Sequence, residues 1–270
     1  MGFFSKNSLR DKRAKKTSDK KRRHSTRAEY LLNEETPFNV TEAFRNLKAT
    51  LSVSVPKKEG GLAIMLTSSF PQEGKTTVTV NLALMFAQSN AKVLLLDADI
   101  RKGRIAKYFH QKSAPGLSNY LSGQKTLEEV VHVSEINKNL SFITCGTRSP
   151  KPYELLESEE MHHLLEQLRK QYDYIILDTP PVLLLSDALA LSTEVDGAVL
   201  VCRHQSSYIS DIDRALKTLN FSKANVLGVI INDYKAQQTA SYGSYKNYYY
   251  YSSYIYGGKD PDDIDDNKNG

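Results

Sequence analysis

Residues 62–77 read Leu-Ala-Ile-Met-Leu-Thr-Ser-Ser-Phe-Pro-Gln-Glu-Gly-Lys-Thr-Thr. The apolar run Leu62 to Leu66 predicts a buried strand, Pro71 and Gly74 mark a turn, and Val78 to Ala87 has helical apolar spacing. Strand, turn and helix therefore meet at Gly74-Lys75-Thr76. A junction of this kind aims backbone N–H groups and a helix N-terminus at one point, which suits a polyphosphate. Lys75 is placed to reach the β- and γ-phosphates and the Thr76 hydroxyl to ligate Mg²⁺. Ser69 stands where such a loop usually has its first glycine.

Downstream, two more apolar runs end in acid. Val93 to Leu96 predicts a strand that runs into Asp97-Ala98-Asp99-Ile100-Arg101, and Tyr174 to Leu177 one closed by Asp178-Thr179-Pro180-Pro181. In an open parallel sheet the ligand crevice lies at the carboxyl ends of the strands, so Asp97, Asp99 and Asp178 are expected to converge on the phosphate loop. Asp178 is the natural partner of Thr76 for a hard cation. One acid of the Asp97/Asp99 pair could take a proton from an incoming hydroxyl while the other holds the metal shell. Arg101 could neutralise charge on a transferring phosphoryl group, or serve as a salt-bridge partner.

The remaining pattern sets the fold class. Thr41 to Val53 reads as an amphipathic helix with Ala43, Phe44, Leu47 and Leu51 on one side and Glu42, Arg45 and Lys48 on the other. Gly116 to Leu121 and Leu127 to Val131 read as short helices, Leu140 to Thr144 as a strand, and Ser158 to Gln171 as a helix capped by Ser158. Strands at Gly197 to Cys202 and Val226 to Ile231 flank a helix from about Tyr208 to Leu219. Apolar strands alternating with helices predict an α/β domain with a mainly parallel sheet covered on both faces.

With 270 residues and 40% apolar content the chain can bury a large core. It shows no apolar run near the roughly 18 residues that span a bilayer and no export or lipidation signal. Cys145 and Cys202 fit no metal spacing and are expected to be reduced core residues.

The net charge of +5 conceals an asymmetry. Residues 1–27 hold eleven Lys or Arg against Asp11 and Asp19, so they carry +9 and leave −4 for the rest. Such a block is expected to be disordered; it could bind anionic lipid, nucleic acid or an acidic partner segment, or simply be solvated. At the other end, Ser241 to Tyr256 contains Tyr242, Tyr245, Tyr248, Tyr249, Tyr250, Tyr251, Tyr254 and Tyr256, half of the chain's sixteen tyrosines, and five aspartates follow in 259–270. Low complexity and a near absence of aliphatic residues make this an exposed tail. The expected partition is a basic arm over 1–36, a domain over 37–236 and a flexible tail over 237–270.

Over residues 37–256 the chain resembles the bacterial protein-tyrosine kinases of the cytoplasmic, Gram-positive type associated with exopolysaccharide or capsule synthesis. The loop Ser68 to Thr77, the stretch Leu95 to Arg101 and the stretch Ile175 to Pro181 are similar to the three nucleotide motifs of that family. The resemblance implies a P-loop NTPase-like fold, ATP as cosubstrate with Mg²⁺, and nucleotide contacts from Gln72, Glu73, Gly74, Lys75, Thr76 and Thr77. It implies phosphorylation of the terminal tyrosines of one subunit by the site of its neighbour. A ring-like homo-oligomer is implied through a Glu-x-x-Arg-x-x-Arg helix, which here reads Glu42, Arg45 and Lys48. Lys48 keeps the charge but not the planar fork of arginine, and Gln72 stands where the family most often has glycine. The implied partners are a transmembrane adaptor that activates the kinase, a cognate tyrosine phosphatase and further protein substrates; nucleic acid is not expected. The implied location is the cytoplasm, at the inner face of the membrane through the adaptor.

Tyrosine chemistry fits these residues. A phenol with a pKa of about 10 is scarcely ionised at neutral pH and gains from a carboxylate that accepts its proton. Asp97 is the candidate base, with Thr76, Asp99 and Asp178 around the metal. An ATP-dependent partition or positioning switch on the same scaffold is the main alternative. That class usually carries a second lysine five residues before the loop lysine, where Phe70 stands here, and it gives the tyrosine cluster no role. A nucleotide-binding scaffold without catalysis has no need of Lys75, Thr76, Asp97, Asp99 and Asp178 together.

Overall fold

Alternating strand and helix signals in the chain become alternating elements in a computed structural model, which describes residues 27–56 and 59–234. The chain divides into two units, Met1–Asp233 and Tyr234–Gly270, and all the helices and strands described lie in the first. In chain order the elements are α1 (Phe38–Ser54), β1 (Leu62–Ser68), α2 (Lys75–Ala87), β2 (Val93–Asp97), α3 (Leu117–Leu121), α4 (Leu127–Val130), β3 (Val131–Val133) and β4 (Leu140–Ile143). Then come α5 (Pro152–Leu156), α6 (Glu159–Arg169), β5 (Tyr174–Asp178), α7 (Asp187–Ala190), β6 (Gly197–Arg203), α8 (Ile209–Phe221) and β7 (Val226–Asn232). Arg27–Tyr30 and Ile105–Lys107 form 3-10 helices.

The strands make one sheet in the order β3-β4-β2-β5-β1-β6-β7, parallel except where β3 runs against β4. Side-chain alternation sorts their residues onto two cores. Ile64, Leu66, Val93, Leu95, Ile176, Val199 and Val201 pack with α1 and α2 on one face. Ala63, Met65, Leu94, Leu96, Ile175, Leu177 and Leu200 pack with α5, α6 and α8 on the other. Burial on both faces is why the central strands read as continuous apolar runs.

Register then decides where the acids go. Asp97 at the end of β2 pairs in register with Asp178 at the end of β5, and Asp178 also lies beside Leu66 of β1. The β1 and β5 ends are tied by Thr67, which donates to the Pro180 carbonyl at 2.8 Å, and by Thr179, which donates to the Leu66 carbonyl at 3.0 Å.

Several local expectations are met in detail. Ser158 caps α6 by accepting from the Met161 N–H at 3.3 Å, with Glu159 and Glu160 in the first turn. Cys145 and Cys202 are free and buried. Others differ. Residue 131 leaves the helical path after α4 and starts the antiparallel edge strand β3, while α5 and α7 are helices of only five and four residues, too short for a periodic signal. Helix α1 begins at Phe38 instead of Thr41 because Pro37, with φ −53°, already supplies the backbone turn before it.

Residues 27–36, assigned to the basic arm from composition, are part of the fold. Leu31 and Leu32 are each 7% exposed. The Leu32 N–H donates to Asn81 Oδ1 at 2.8 Å, and Asn81 Nδ2 donates to the Tyr30 carbonyl at 2.7 Å. Two leucines in this ten-residue, mostly polar stretch are enough because a buried amide on α2 meets the backbone beside them. The remainder of the arm, and all but the first residues expected beyond β7, lie outside the described residues.

Candidate phosphate-binding and catalytic site

The loop between β1 and α2 is shaped by two left-handed residues. Gly74, with φ +88°, precedes Lys75, and a Cβ there would stand 1.8 Å from Asn232 Nδ2. Gln72 has φ +71° without being glycine. That conformation is the physical reason for a glycine preference at this position. Glu73 faces inward and builds the loop: its Oε2 accepts from the Phe70 N–H at 2.9 Å, its Oε1 from the Ser207 hydroxyl, and its carbonyl from Asn232 Nδ2 at 3.0 Å. Thr77 shares a hydrogen bond of 2.7 Å with the buried Tyr108 hydroxyl.

Behind the loop, Lys75 and Asp178 form a buried ion pair through Lys75 Nζ and Asp178 Oδ1. Thr76 donates to Asp178 Oδ2 at 2.7 Å and Thr79 to Oδ1 at 3.2 Å. Asp97 is completely buried; its Oδ2 accepts from the Ile105 N–H at 3.0 Å, while Oδ1 has no hydrogen-bond partner. Burial, reinforced by the charge of Asp178, pushes the Asp97 carboxyl well above the usual range. Asp99 is less buried and accepts from the Lys102 N–H at 2.9 Å; desolvation raises it too, opposed by Lys75. Gly103 lies so close that a Cβ would be 2.6 Å from Asp97 Oδ2 and 2.5 Å from Cys145 Cβ. The Cys145 thiol itself is pushed up to about 12 by burial and by these acids, so it is inert here.

Lys75, Thr76, Asp97 and Asp178 are thus brought together, with Asp99 on the same strand end. Arg101 takes its other course: Nε and Nη2 donate to Asp187 Oδ2 and Oδ1 at 2.6 and 3.0 Å, a bidentate pair with α7. On α1, Glu42 pairs with Arg45 within the helix, and Lys48 Nζ donates to Ser89 Oγ at 2.5 Å. The eight tail tyrosines lie outside the described residues. Sequence reasoning missed Thr79, Ser207, Asn232 and Tyr108. Only Thr79 had a signal, since it follows Thr76 by three residues on one helix face.

The donor set fits a magnesium nucleotide. Among the described residues no three His, Cys, Asp or Glu side chains form a metal cage by themselves, which is the usual situation for Mg²⁺, held by one or two carboxylates with phosphate and water. A helix N-terminus, a lysine and a hydroxyl sit together beside a carboxylate oxygen without a partner.

The AAA domain family matches residues 72–232. The tyrosine-protein kinase YwqD of Bacillus subtilis (strain 168) is 35% identical over 205 residues, covering 76% of this chain and 86% of the relative. The chain belongs to the bacterial tyrosine-protein kinases. Another member of this kinase family, a putative tyrosine-protein kinase in the cps region of Klebsiella pneumoniae, is 35% identical over 223 residues. That match covers 82% of this chain, which spans only 31% of the Klebsiella relative's length. The kinase domain of Escherichia coli tyrosine kinase ETK superposes with a TM-score of 0.67 at 33% identity, over 75% of this chain and 80% of that one. The P-loop sheet with helices on both faces is therefore the kinase fold of its relatives.

Proposed function

We propose that this chain is an ATP-dependent protein-tyrosine kinase that phosphorylates the tyrosine cluster of a neighbouring copy and thereby regulates exopolysaccharide or capsule synthesis. The observation that supports it most is the convergence of Lys75, Thr76 and Thr79 on Asp178 with Asp97 in register beside it.

When bound, the magnesium nucleotide supplies the γ-phosphoryl group and part of the charge neutralisation for its transfer. The amides of residues 72–77 and the Lys75 ammonium hold phosphate oxygens, with Glu73 and Tyr108 fixing the loop that presents them. Thr76, Asp99 and Asp178 provide oxygen ligands for the metal. Asp97 accepts the phenol proton; burial raises its affinity for that proton, so it is the stronger base once ionised. Arg101, braced by Asp187, adds positive charge near Asp99.

The phosphoacceptors are Tyr242, Tyr245, Tyr248, Tyr249, Tyr250, Tyr251, Tyr254 and Tyr256, offered in trans within a ring whose contact uses Glu42, Arg45 and Lys48. Each phosphate adds about −1.5 to −2 charge, so heavy modification drives the ring apart; identical sedimentation of modified and unmodified protein at low salt would contradict this. A transmembrane adaptor activates the kinase at the inner face of the membrane, and a tyrosine phosphatase resets it. Among the described residues no helix is long and apolar enough to cross a membrane.

Labelled ATP tests the reading. Label on tyrosine that vanishes with Lys75→Met supports it. Inorganic phosphate alone would instead indicate an ATPase switch, and neither product a binding scaffold.

A further inference from the structure

We infer that the loops after β2 and β4 form a basic ledge beside Asp97 that docks an acidic peptide segment following the acceptor tyrosine, supplied by residues 259–270 of a second copy of this chain. The inference rests on the kinase reading and assigns the feature by which that site selects its acceptor.

Two loops make the ledge, and the fold holds them together. Gly103 lies against the end of β4, where a Cβ would be 2.5 Å from Cys145 Cβ and 2.6 Å from Asp97 Oδ2. Further on, the Ser113 carbonyl accepts from the Gly146 N–H at 2.7 Å and from the Thr144 hydroxyl at 2.9 Å. The Ile105 N–H donates to Asp97 Oδ2 at 3.0 Å, so the ledge is fastened to the carboxylate assigned as the base.

Its charge has one sign. Residues 100–127 contain Arg101, Lys102, Arg104, Lys107, Lys112 and Lys125, residues 144–153 contain Arg148 and Lys151, and neither stretch has an Asp or Glu. Arg101 is engaged by Asp187, but Lys102, Lys112 and Arg148 are exposed and have no ion-pair partner among the described residues. Clustered like charges repel one another, and an acidic segment relieves that repulsion where a neutral one does not.

Sheet order decides which ligand the ledge serves. The strands run β4-β2-β5-β1, so the phosphate loop after β1 and the ledge after β2 and β4 lie to either side of the Asp178–Asp97 pair. Phosphoryl transfer is in line, with the incoming oxygen opposite the leaving one. The ledge is thus on the acceptor's side of the site and not on the nucleotide's. The tail has the complementary chemistry, since Asp260, Asp262, Asp263, Asp265 and Asp266 follow Tyr256 against Lys259 and Lys268. Four residues of chain span at most about 14 Å, so a Tyr256 placed at Asp97 brings these acids to the ledge. Tyr242 stands 18 positions before Asp260 and gains far less from them.

A labelled peptide copying residues 250–270 gives the test. The receptor is the full-length protein without nucleotide, with its own Asp260, Asp262, Asp263, Asp265 and Asp266 replaced by Asn so that its tail does not compete. Fluorescence anisotropy should show binding that weakens at least about tenfold when the same five Asp of the peptide are Asn, and again on raising salt from about 0.05 to about 0.5 M. Lys112→Glu with Arg148→Glu should remove binding, and Lys112→Gln with Arg148→Gln should weaken it less. Lys170→Glu, at the opposite end of the sheet just before β5, should leave it unchanged. In phosphorylation of the peptide, the charge reversal should raise KM about tenfold with kcat and ATP affinity unchanged. Unchanged ATP affinity also verifies that the variants fold. In the unmodified protein Tyr254 and Tyr256 should be labelled before Tyr242. Equal binding of the Asn peptide, survival of binding after the charge reversal, loss of kcat without a change in KM, or poly-uridine RNA displacing the peptide at lower concentration than unlabelled peptide would overturn the inference. Peptide binding that follows the expected pattern while no tyrosine is labelled would contradict the kinase reading and leave the acidic docking in place.

Discussion

Lys75 and Asp178 neutralise each other behind the phosphate loop, on strand and helix ends that the sheet register brings together. The same carboxylate also takes hydroxyl donors from Thr76 and Thr79. The lysine and the acid thus hold one another in place, and each is costly to leave alone in a buried site.

Lys75→Met should therefore do more than remove a phosphate contact. With Thr76 and Thr79 still donating to Asp178, a destabilisation of about 1–3 kcal/mol is expected in denaturant unfolding without nucleotide. Asp178→Asn in the same background should recover most of it, while neither protein transfers phosphate. Full additivity of the two substitutions would mean that the pair is not coupled.

Asp97 should reveal itself through pH. Its carboxyl is raised above the ordinary 3.8 by burial, so its ionisation is harder in the folded than in the unfolded chain. Stability from this group is complete below the unfolded value and falls as pH rises through the folded one. Asp97→Asn keeps an oxygen for the Ile105 N–H and removes that loss. In metal-free buffer the variant should exceed the parent by about 1–3 kcal/mol at neutral pH, with the difference vanishing towards pH 4. Tyrosine phosphorylation should drop by about 10²–10⁴.

Gly74→Ala should abolish nucleotide binding, since its Cβ would meet Asn232 Nδ2 at 1.8 Å and its φ is left-handed. Adding Asn232→Ala relieves the clash but not the backbone cost of about 1–2 kcal/mol, so rescue should be partial by calorimetry. Gln72→Gly, at φ +71°, should instead stabilise by up to about 1 kcal/mol.

Asn81→Ala should release residues 27–36, the N-terminal strap that Asn81 holds on α2. The Leu32 N–H and Tyr30 carbonyl lose their buried partner, at about 1–3 kcal/mol. Hydrogen exchange at Leu32 should quicken far more than exchange in β5.

These contacts show what a sequence can carry. Burial of both sheet faces writes itself into apolar runs, and acids that end such runs mark strand ends, so the sheet and Asp97, Asp99 and Asp178 were legible. Thr76 and Lys75 were legible because the loop chemistry dictates their types. The strap was not, because Leu31 and Leu32 interrupt a polar stretch too briefly for any period, and Asn81 looks like an ordinary polar residue on a helix. Arg101 could be read two ways, and the carboxylate that engages it sits 86 residues away in a four-residue helix. Ser207 and Asn232 reach the loop because β6 pairs with β1 and β7 with β6.

One mixing experiment tests the central claim most directly. A Lys75→Met chain with its tyrosines intact is incubated with labelled ATP and a chain whose site is intact but whose eight tail tyrosines are Phe. Label on tail tyrosines of the Lys75→Met chain is the predicted result. Absence of tyrosine label there, under conditions in which the unmodified protein labels itself, would contradict transfer between subunits.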